Sequence, residues 1–127
     1  MKDFIIRLAS MKLAEMKFDV SIEHRIVQKR YLQENLSFKE LEDRIVGLSK
    51  KHNAVLPLVK KVEIEEGPDG DASFVLFLYR GKSNKNMTGQ GSKPLLYCFI
   101  PKPDSMSREI FKKLMESLLK RLELRGL

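Results

Sequence analysis

The sequence contains no tryptophan, one cysteine and two histidines among its 127 residues. A single cysteine excludes a disulfide framework within the chain, as expected in a reducing compartment. No apolar run approaches the roughly 20 residues that a membrane-spanning helix needs. Asp3, Arg7 and Lys12 interrupt the N-terminal stretch, which therefore lacks the apolar segment of a secretory signal. These absences predict an intracellular protein of the cytoplasm or nucleus, with no membrane partner.

The length of the chain predicts one domain spanning residues 1–127, which is long enough to bury a core without disulfides. The 24 Lys and Arg residues outnumber the 17 Asp and Glu residues, and the formal net charge is +7. Such an excess favours acidic partners such as nucleic acid, but it carries no information about the fold. A basic surface without a dedicated partner would have the same composition.

The N-terminal segment 1–53 is predicted to be helical. A first helix over 3–18 and a second over 22–35 both place apolar residues at the 3.6-residue period, with Ile22 and Ile26 on one face of the second. The intervening polar residues would form the exposed, largely basic faces of these helices.

A third helix is predicted to begin after Ser37, because Ser37 and Glu40 have the spacing of a capping box. In that motif each side chain accepts a hydrogen bond from the backbone of the other residue. Asn53 is a suitable left-handed residue to end the helix. The alternative is that the second and third helices form one longer rod, since no Gly or Pro separates them.

After Pro57 the pattern changes to one of strands. Residues 59–65 alternate in part, as an edge strand does, whereas residues 74–79 and 95–100 are apolar on both faces. We therefore predict a three-stranded antiparallel meander over 58–100. Its two central strands require cover on both faces of the sheet, from helices or from a second copy of the chain.

The most regular helix is predicted over 104–125, with Asp104, Ser105 or Ser107 as the N-cap. Its apolar stripe comprises Ile110, Phe111, Leu114, Met115, Leu118, Leu119 and Leu122. The predicted fold class is therefore α+β, with N-terminal helices, a three-stranded antiparallel β-meander and a C-terminal helix packed on the sheet.

No acidic residue occurs between Asp71 and Asp104. The polar loop 80–93, which joins the two central strands, lies inside this interval. Its cations would provide affinity for phosphates, its amides would position them, and its glycines would let the backbone approach closely. We predict that this loop binds the backbone of RNA or DNA, RNA more than DNA, through Arg80, Lys82, Lys85, Asn86, Gln90 and Lys93. A solvated hairpin tip with no ligand would look the same.

Aromatic residues on strands are a second feature of nucleic-acid-binding sheets, because bases stack on exposed rings. Most strand aromatics nevertheless belong to a core. Tyr79 and Tyr97 lie near strand ends and carry hydroxyls that need partners, so we expect these two to be the exposed ones.

The sequence offers no catalytic constellation, no metal-ligand spacing and no cofactor motif. His24 and His52 are expected on separate helices as surface residues, and Cys98 lies among apolar neighbours as a small hydrophobe. The segment 80–83 lacks the earlier glycine of a phosphate-binding P-loop. We therefore predict a protein that is not an enzyme.

The predicted order of a helix, three strands and a helix resembles that of double-stranded-RNA-binding domains and of the small Alu-domain proteins of the signal recognition particle. It also resembles the globular heads of some coiled-coil kinetochore proteins. The first family carries a Lys-Lys-x-Ala-Lys run on its last helix, whereas the last helix here opens with Ser107-Arg108-Glu109. The sequence therefore assigns the chain to no family.

Two functions remain open on these grounds. The first is a small basic domain that binds nucleic acid through the loop 80–93. The alternative is a protein-interaction or assembly subunit, forming homo- or hetero-oligomers through the apolar surface of its sheet or helices. The sequence basis of this alternative is the surplus of apolar strand residues in so short a chain.

Overall fold

The computed structural model describes residues 15–27, 29–67, 71–81 and 93–127, with only the backbone of Lys29 and Tyr31. These residues form an α+β fold, which confirms the predicted class. Two helices and six strands follow one another as β1 (Lys17–His24), β2 (Lys29–Ser37), α1 (Phe38–His52), β3 (Ala54–Val55), β4 (Ile64–Glu66), β5 (Ala72–Arg80), β6 (Leu96–Pro101) and α2 (Arg108–Leu124).

The six strands form one antiparallel sheet in the order β2-β1-β6-β5-β3, with β4 also pairing with β5. The meander β4-β5-β6 matches part of the predicted one, but β4 is only three residues long. The strands predicted over 74–79 and 95–100 correspond to β5 and β6. The sheet is larger than predicted because β1 pairs with β6 and adds β2 beyond it.

The helix predicted over 22–35 is wrong, because this segment forms most of the β1–β2 hairpin. The side chains of Phe18, Val20 and Ile22 are buried at every second position, as on a strand with one covered face. Ile26, which suggested the helical period, lies in the turn and is 61% exposed. The helix predicted over 3–18 falls mostly outside the described residues, and its last two residues open β1.

Helix α1 confirms the capping-box prediction. The Glu40 backbone N–H donates to Ser37 Oγ at 3.3 Å, and the Ser37 backbone N–H donates to Glu40 Oε1 at 2.9 Å. Asn53 ends the helix in the left-handed conformation, with φ 52° and ψ 48°. The single rod considered from the sequence is wrong, because β2 runs directly into the cap at Ser37.

Helix α2 also begins where the sequence indicates, since Ser107 is its N-cap and accepts a hydrogen bond from the Ile110 backbone N–H at 3.2 Å. The apolar stripe of α2 packs on the sheet, and it belongs to the same hydrophobic core as the apolar residues of α1. The rings of Phe18 and Phe111 lie 6.4 Å apart between β1 and α2. The even-numbered residues of the long strands face this core, among them Phe18, Val20, Ile22, Phe74, Leu76, Leu78, Leu96, Cys98 and Ile100.

The odd-numbered residues lie on the opposite side, which we call the open face: Asp19, Ser21, Glu23, Val75, Phe77, Tyr79, Tyr97 and Phe99. Both described helices pack on the even-numbered side. We expected both faces of the apolar central strands to be covered. Within the described ranges, helices cover only the even-numbered face.

A buried carboxylate joins the two helices. Glu42 of α1 is 1% exposed and accepts hydrogen bonds from Arg121 and Arg125 at the end of α2, the latter at 2.8 Å. Arg125 also donates to Asp43 at 2.6 Å. Burial by itself would raise the pKa of Glu42, but the hydrogen bonds from the two guanidinium groups outweigh it and hold that pKa below its usual value.

We expect Glu42→Gln to lower the free energy of unfolding by about 1–3 kcal/mol at neutral pH, because charged hydrogen bonds to a buried acceptor are lost. The pKa of Glu42 is lowered in the folded state, so this contribution is complete above the ordinary value of 4.5 and disappears as the pH falls through the folded value. Urea unfolding as a function of pH measures both effects.

The control for this prediction is Glu65→Gln, which changes an exposed carboxylate on β4. The difference between wild type and Glu42→Gln should shrink on acidification, whereas the control should differ little at any pH. An equal stability difference at neutral and strongly acidic pH would contradict the role given to the Glu42 charge.

Candidate nucleic-acid interface

The structure describes two of the six residues predicted to contact phosphates. Arg80 is the last residue of β5, and Lys93 lies just ahead of β6; both are exposed. Lys82, Lys85, Asn86 and Gln90 lie outside the described residues. Arg80 and Lys93 flank the loop and mark one end of the sheet.

Backbone hydrogen bonds bring two further segments to this end. The Gly81 N–H donates to the Asn53 carbonyl at 2.8 Å, which holds the end of β5 against the end of α1. A Cβ at Gly81 would lie 3.3 Å from Asn53 Oδ1 and from Val55 Cγ1, so a larger residue would crowd this junction. The Arg25 N–H donates to the Leu95 carbonyl at 2.9 Å, which holds the end of β1 against the start of β6.

We use the name basic end for five described cations at one end of the sheet: Arg25, Lys50, Lys51, Arg80 and Lys93. Arg25 follows β1, and the two α1 lysines lie in its last turn. None of the five forms an ion pair with a described residue. Their charges are therefore not compensated by any carboxylate that the structure describes.

Most other described cations have a carboxylate partner. The pairs include Arg30 with Glu23, Arg44 with Glu34, Lys60 with Glu123, Lys61 with Glu63, Arg108 with Glu66, Lys113 with Glu109 and Arg125 with Asp43. These exposed pairs contribute little stability, but each cancels a positive charge locally. The net charge of +7 is thus unevenly distributed.

The positive charge is unevenly distributed because Asp and Glu residues are missing from three segments of the chain. Residues 24–33, 44–62 and 72–103 contain no Asp or Glu, and these three segments meet at the basic end. Glu23, the closest acid in sequence to Arg25, is paired with Arg30 at 3.7 Å. Uncompensated charges of one sign that are grouped together produce a local positive potential, which attracts polyanions.

Two histidines lie beside the basic end, contrary to their predicted positions on separate helices. His24 ends β1 and His52 ends α1, and their ring centroids are 5.4 Å apart. His24 is buried, and its Nδ1 accepts a hydrogen bond from the Val27 N–H at 3.3 Å. Burial lowers the pKa of His52 below its usual range, and the nearby His24 and Lys51 lower it further. Both histidines therefore connect β1 to α1 rather than lying on the surface.

Three aromatic rings from β5 and β6 lie side by side on the open face. Phe77 and Tyr97 are register partners with ring centroids 5.4 Å apart, and Tyr97 lies 6.3 Å from Phe99. Both pairs are nearly perpendicular, at 77° and 78°. We expected Tyr79 and Tyr97 to be the exposed aromatics, but both are half-buried and Phe77 is the more exposed ring.

The thiol of Cys98 is fully buried, and burial raises its pKa far above the ordinary value. This agrees with its expected behaviour as a small apolar residue. Across the described parts of the chain, no group of three or more His, Cys, Asp or Glu side chains has a spacing that would hold a metal ion. No helix within the described ranges is long and apolar enough to cross a membrane.

The sequence pattern indicated Arg80 and Lys93 of the basic end, but it did not indicate Arg25, Lys50 and Lys51. The signal that could have found them is the lack of acids in 24–33 and 44–62, which resembles the acid-free interval around the loop. That signal becomes specific only when the topology brings the three segments together.

Comparison with known proteins adds no relative to this picture: no protein-family model, no curated protein and no solved structure matches the chain. The basic end and the open face are therefore the features from which a function can be inferred.

Proposed function

We propose that this protein is a non-enzymatic nucleic-acid-binding domain that contacts the phosphate backbone through its basic end. The observation that supports this proposal is the convergence of five cations, none paired with a described carboxylate, at the junction of β1, α1, β5 and β6. An intracellular location, where nucleic acid is found, is part of the same proposal.

The electrostatic basis of binding is the release of counterions from the nucleic acid. A lysine that already pairs with a carboxylate must lose that partner before it contacts a phosphate, whereas Lys50 and Lys51 have no described carboxylate partner to lose. Arg80 adds a planar donor group that can contact two phosphate oxygens at once. The contacts predicted from the sequence for Lys82 and Lys85 are part of the same proposal.

RNA is the preferred ligand within this proposal. Reading of duplex DNA usually places a helix or a β-ribbon in the major groove, whereas single-stranded RNA is often bound across an open sheet. Here α1 and α2 both pack on the sheet, and the open face beside the basic end carries aromatic rings.

The test measures binding of a fluorescently labelled single-stranded RNA by anisotropy at several salt concentrations. Lys50→Gln/Lys51→Gln and Arg80→Gln/Lys93→Gln each remove two charges from the basic end. Each phosphate contact that is lost should reduce the slope of log affinity against log salt by about 0.7. Both double variants should therefore bind more weakly and with a smaller salt dependence.

The matched control is Lys112→Gln/Lys120→Gln, which removes two exposed charges from α2, on residues without a described carboxylate partner. This control changes the net charge equally but leaves the basic end intact, so its affinity should stay close to that of wild type. An equal loss in all three double variants would show attraction to net charge alone. Absence of RNA binding at about 50 mM salt, or binding to anionic lipid vesicles instead, would contradict the proposal.

The second candidate function is assembly through the free edge of β5. On that edge β3 pairs with residues 79–80 and β4 with residues 72–74, so residues 75–78 have no strand partner among the described ones. A groove of about 540 Å³ lies there, lined by Leu56, Val59, Phe77 and Tyr79 among others. An unpaired strand edge beside apolar side chains can accept a strand from another chain.

Light scattering with the variant Val75→Pro tests this second candidate. The backbone carbonyls of the even-numbered residues Ala72 and Leu78 accept hydrogen bonds from the β6 side. Because successive residues of a strand direct their backbone groups to opposite sides, the N–H of odd-numbered Val75 points to the free edge. Proline at this position removes an outward donor and leaves the ladder to β6 intact. An oligomeric wild type that becomes monomeric in Val75→Pro would support assembly, and a monomeric wild type would exclude self-association through this edge.

A further inference from the structure

The rings of Phe77, Tyr97 and Phe99 form a continuous aromatic surface on the open face. Phe77 pairs with Tyr97 across the β5–β6 ladder, and Phe99 follows two residues after Tyr97 on the same side of β6. Both described helices pack on the other side of the sheet. The three rings therefore form a platform rather than part of the core between the sheet and the helices.

Of the three rings, Phe77 is the most accessible to solvent. Tyr97 is nearly perpendicular to both neighbours, so ring edges meet ring faces within the cluster. Phe77 is 39% exposed, whereas the other exposed large apolar residues lie outside the strands, in the hairpin turn, in the segment before β4 and at the end of α2. An exposed phenyl ring in the middle of a strand, beside other aromatic rings, is suited to stacking.

The charged residues around the three rings determine what kind of molecule could stack on them. Strands β5 and β6 contain no acid. Arg80 ends β5 about 10 Å along the strand from Phe77, and as an even-numbered residue it leaves the strand on the opposite side. Lys93 lies four residues before Tyr97 at the same end. On the other half of the open face, β1 carries Asp19, which would repel a polyanion, and Glu23, which lies beside Tyr97 in the ladder and is paired with Arg30. A chain of phosphates is therefore favoured over β5 and β6 and disfavoured over β1.

We infer that Phe77, supported by Tyr97 and Phe99, stacks on an unpaired base of a nucleic acid whose phosphates contact the basic end. This inference rests on the proposed function and specifies its ligand as single-stranded. In a duplex the bases are paired and stacked on each other, so a duplex could contact the cations but not the rings. The protein should accordingly prefer single strands to duplexes of the same length.

The absence of tryptophan from the chain gives this inference a direct probe. Phe77→Trp places the only indole of the protein on the platform and keeps an aromatic face for stacking. Its fluorescence should be quenched when a single-stranded RNA is added and should change little with the matching duplex. Phe77→Leu keeps apolar bulk without a ring, and it should reduce single-strand affinity roughly 5- to 100-fold while leaving duplex affinity unchanged.

Leu58→Ala is the control, because it truncates an exposed apolar side chain outside the platform, and it should not change the affinity. Circular dichroism and light scattering on each variant check the fold and the oligomeric state. Equal binding of single strands and duplexes, unaffected by Phe77→Leu, would overturn the inference and leave the proposed function standing. Absence of binding to either ligand would overturn both. An oligomer that dissociates in Phe77→Leu would assign the rings to contact with a second copy instead.

Discussion

The structure depends on the burial of one face of the antiparallel sheet under two helices. Strands alternate their side chains between two faces, so the burial of the even-numbered residues against α1 and α2 fixes the odd-numbered ones on the other side. Burial of apolar area is the main favourable contribution to the free energy of folding. Glu42, with its hydrogen bonds to Arg121 and Arg125, then joins the two helices above the sheet. A shift of one residue in any central strand would exchange Leu76 or Cys98 for an open-face residue.

The same constraint positions both parts of the proposed interface. Because every strand pairing is antiparallel, the end of β1, the end of β5 and the start of β6 come to one end of the sheet. The short link from α1 to β3 brings the last turn of α1 to the same place. Cations from four separate segments are thus grouped by topology. The pleat places Phe77 and Tyr97 on the open face, within a few residues of that end.

Patterns that are complete within a short stretch could be predicted from the sequence. The Ser37–Glu40 box and Asn53 gave both ends of α1, Ser107 and the leucine stripe gave α2, and two apolar runs gave β5 and β6. The β1–β2 hairpin could not be predicted in the same way. Ile22 and Ile26 are four residues apart, as on a helix, and the turn between the strands contains no Gly or Pro.

The candidate interface was predictable only in part, for a related physical reason. Arg80 and Lys93 adjoin the loop within one acid-free interval, so sequence alone indicates them. Arg25 and the α1 lysines reach the same surface only through tertiary contacts, such as the hydrogen bond from Gly81 to Asn53. The greater exposure of Phe77 relative to the two tyrosines likewise depends on how neighbouring rings pack, which strand position does not determine.

The proposed single-stranded nucleic acid contacts both the basic end and the aromatic rings of the open face. Mapping amide chemical-shift changes by NMR during titration with a single-stranded RNA tests these contacts most directly. The account predicts changes at Arg25, Lys51, Arg80 and Phe77, with few changes along the outer side of α2. Changes concentrated on α2 around Lys112 and Lys120, or spread evenly over all exposed cations, would contradict it.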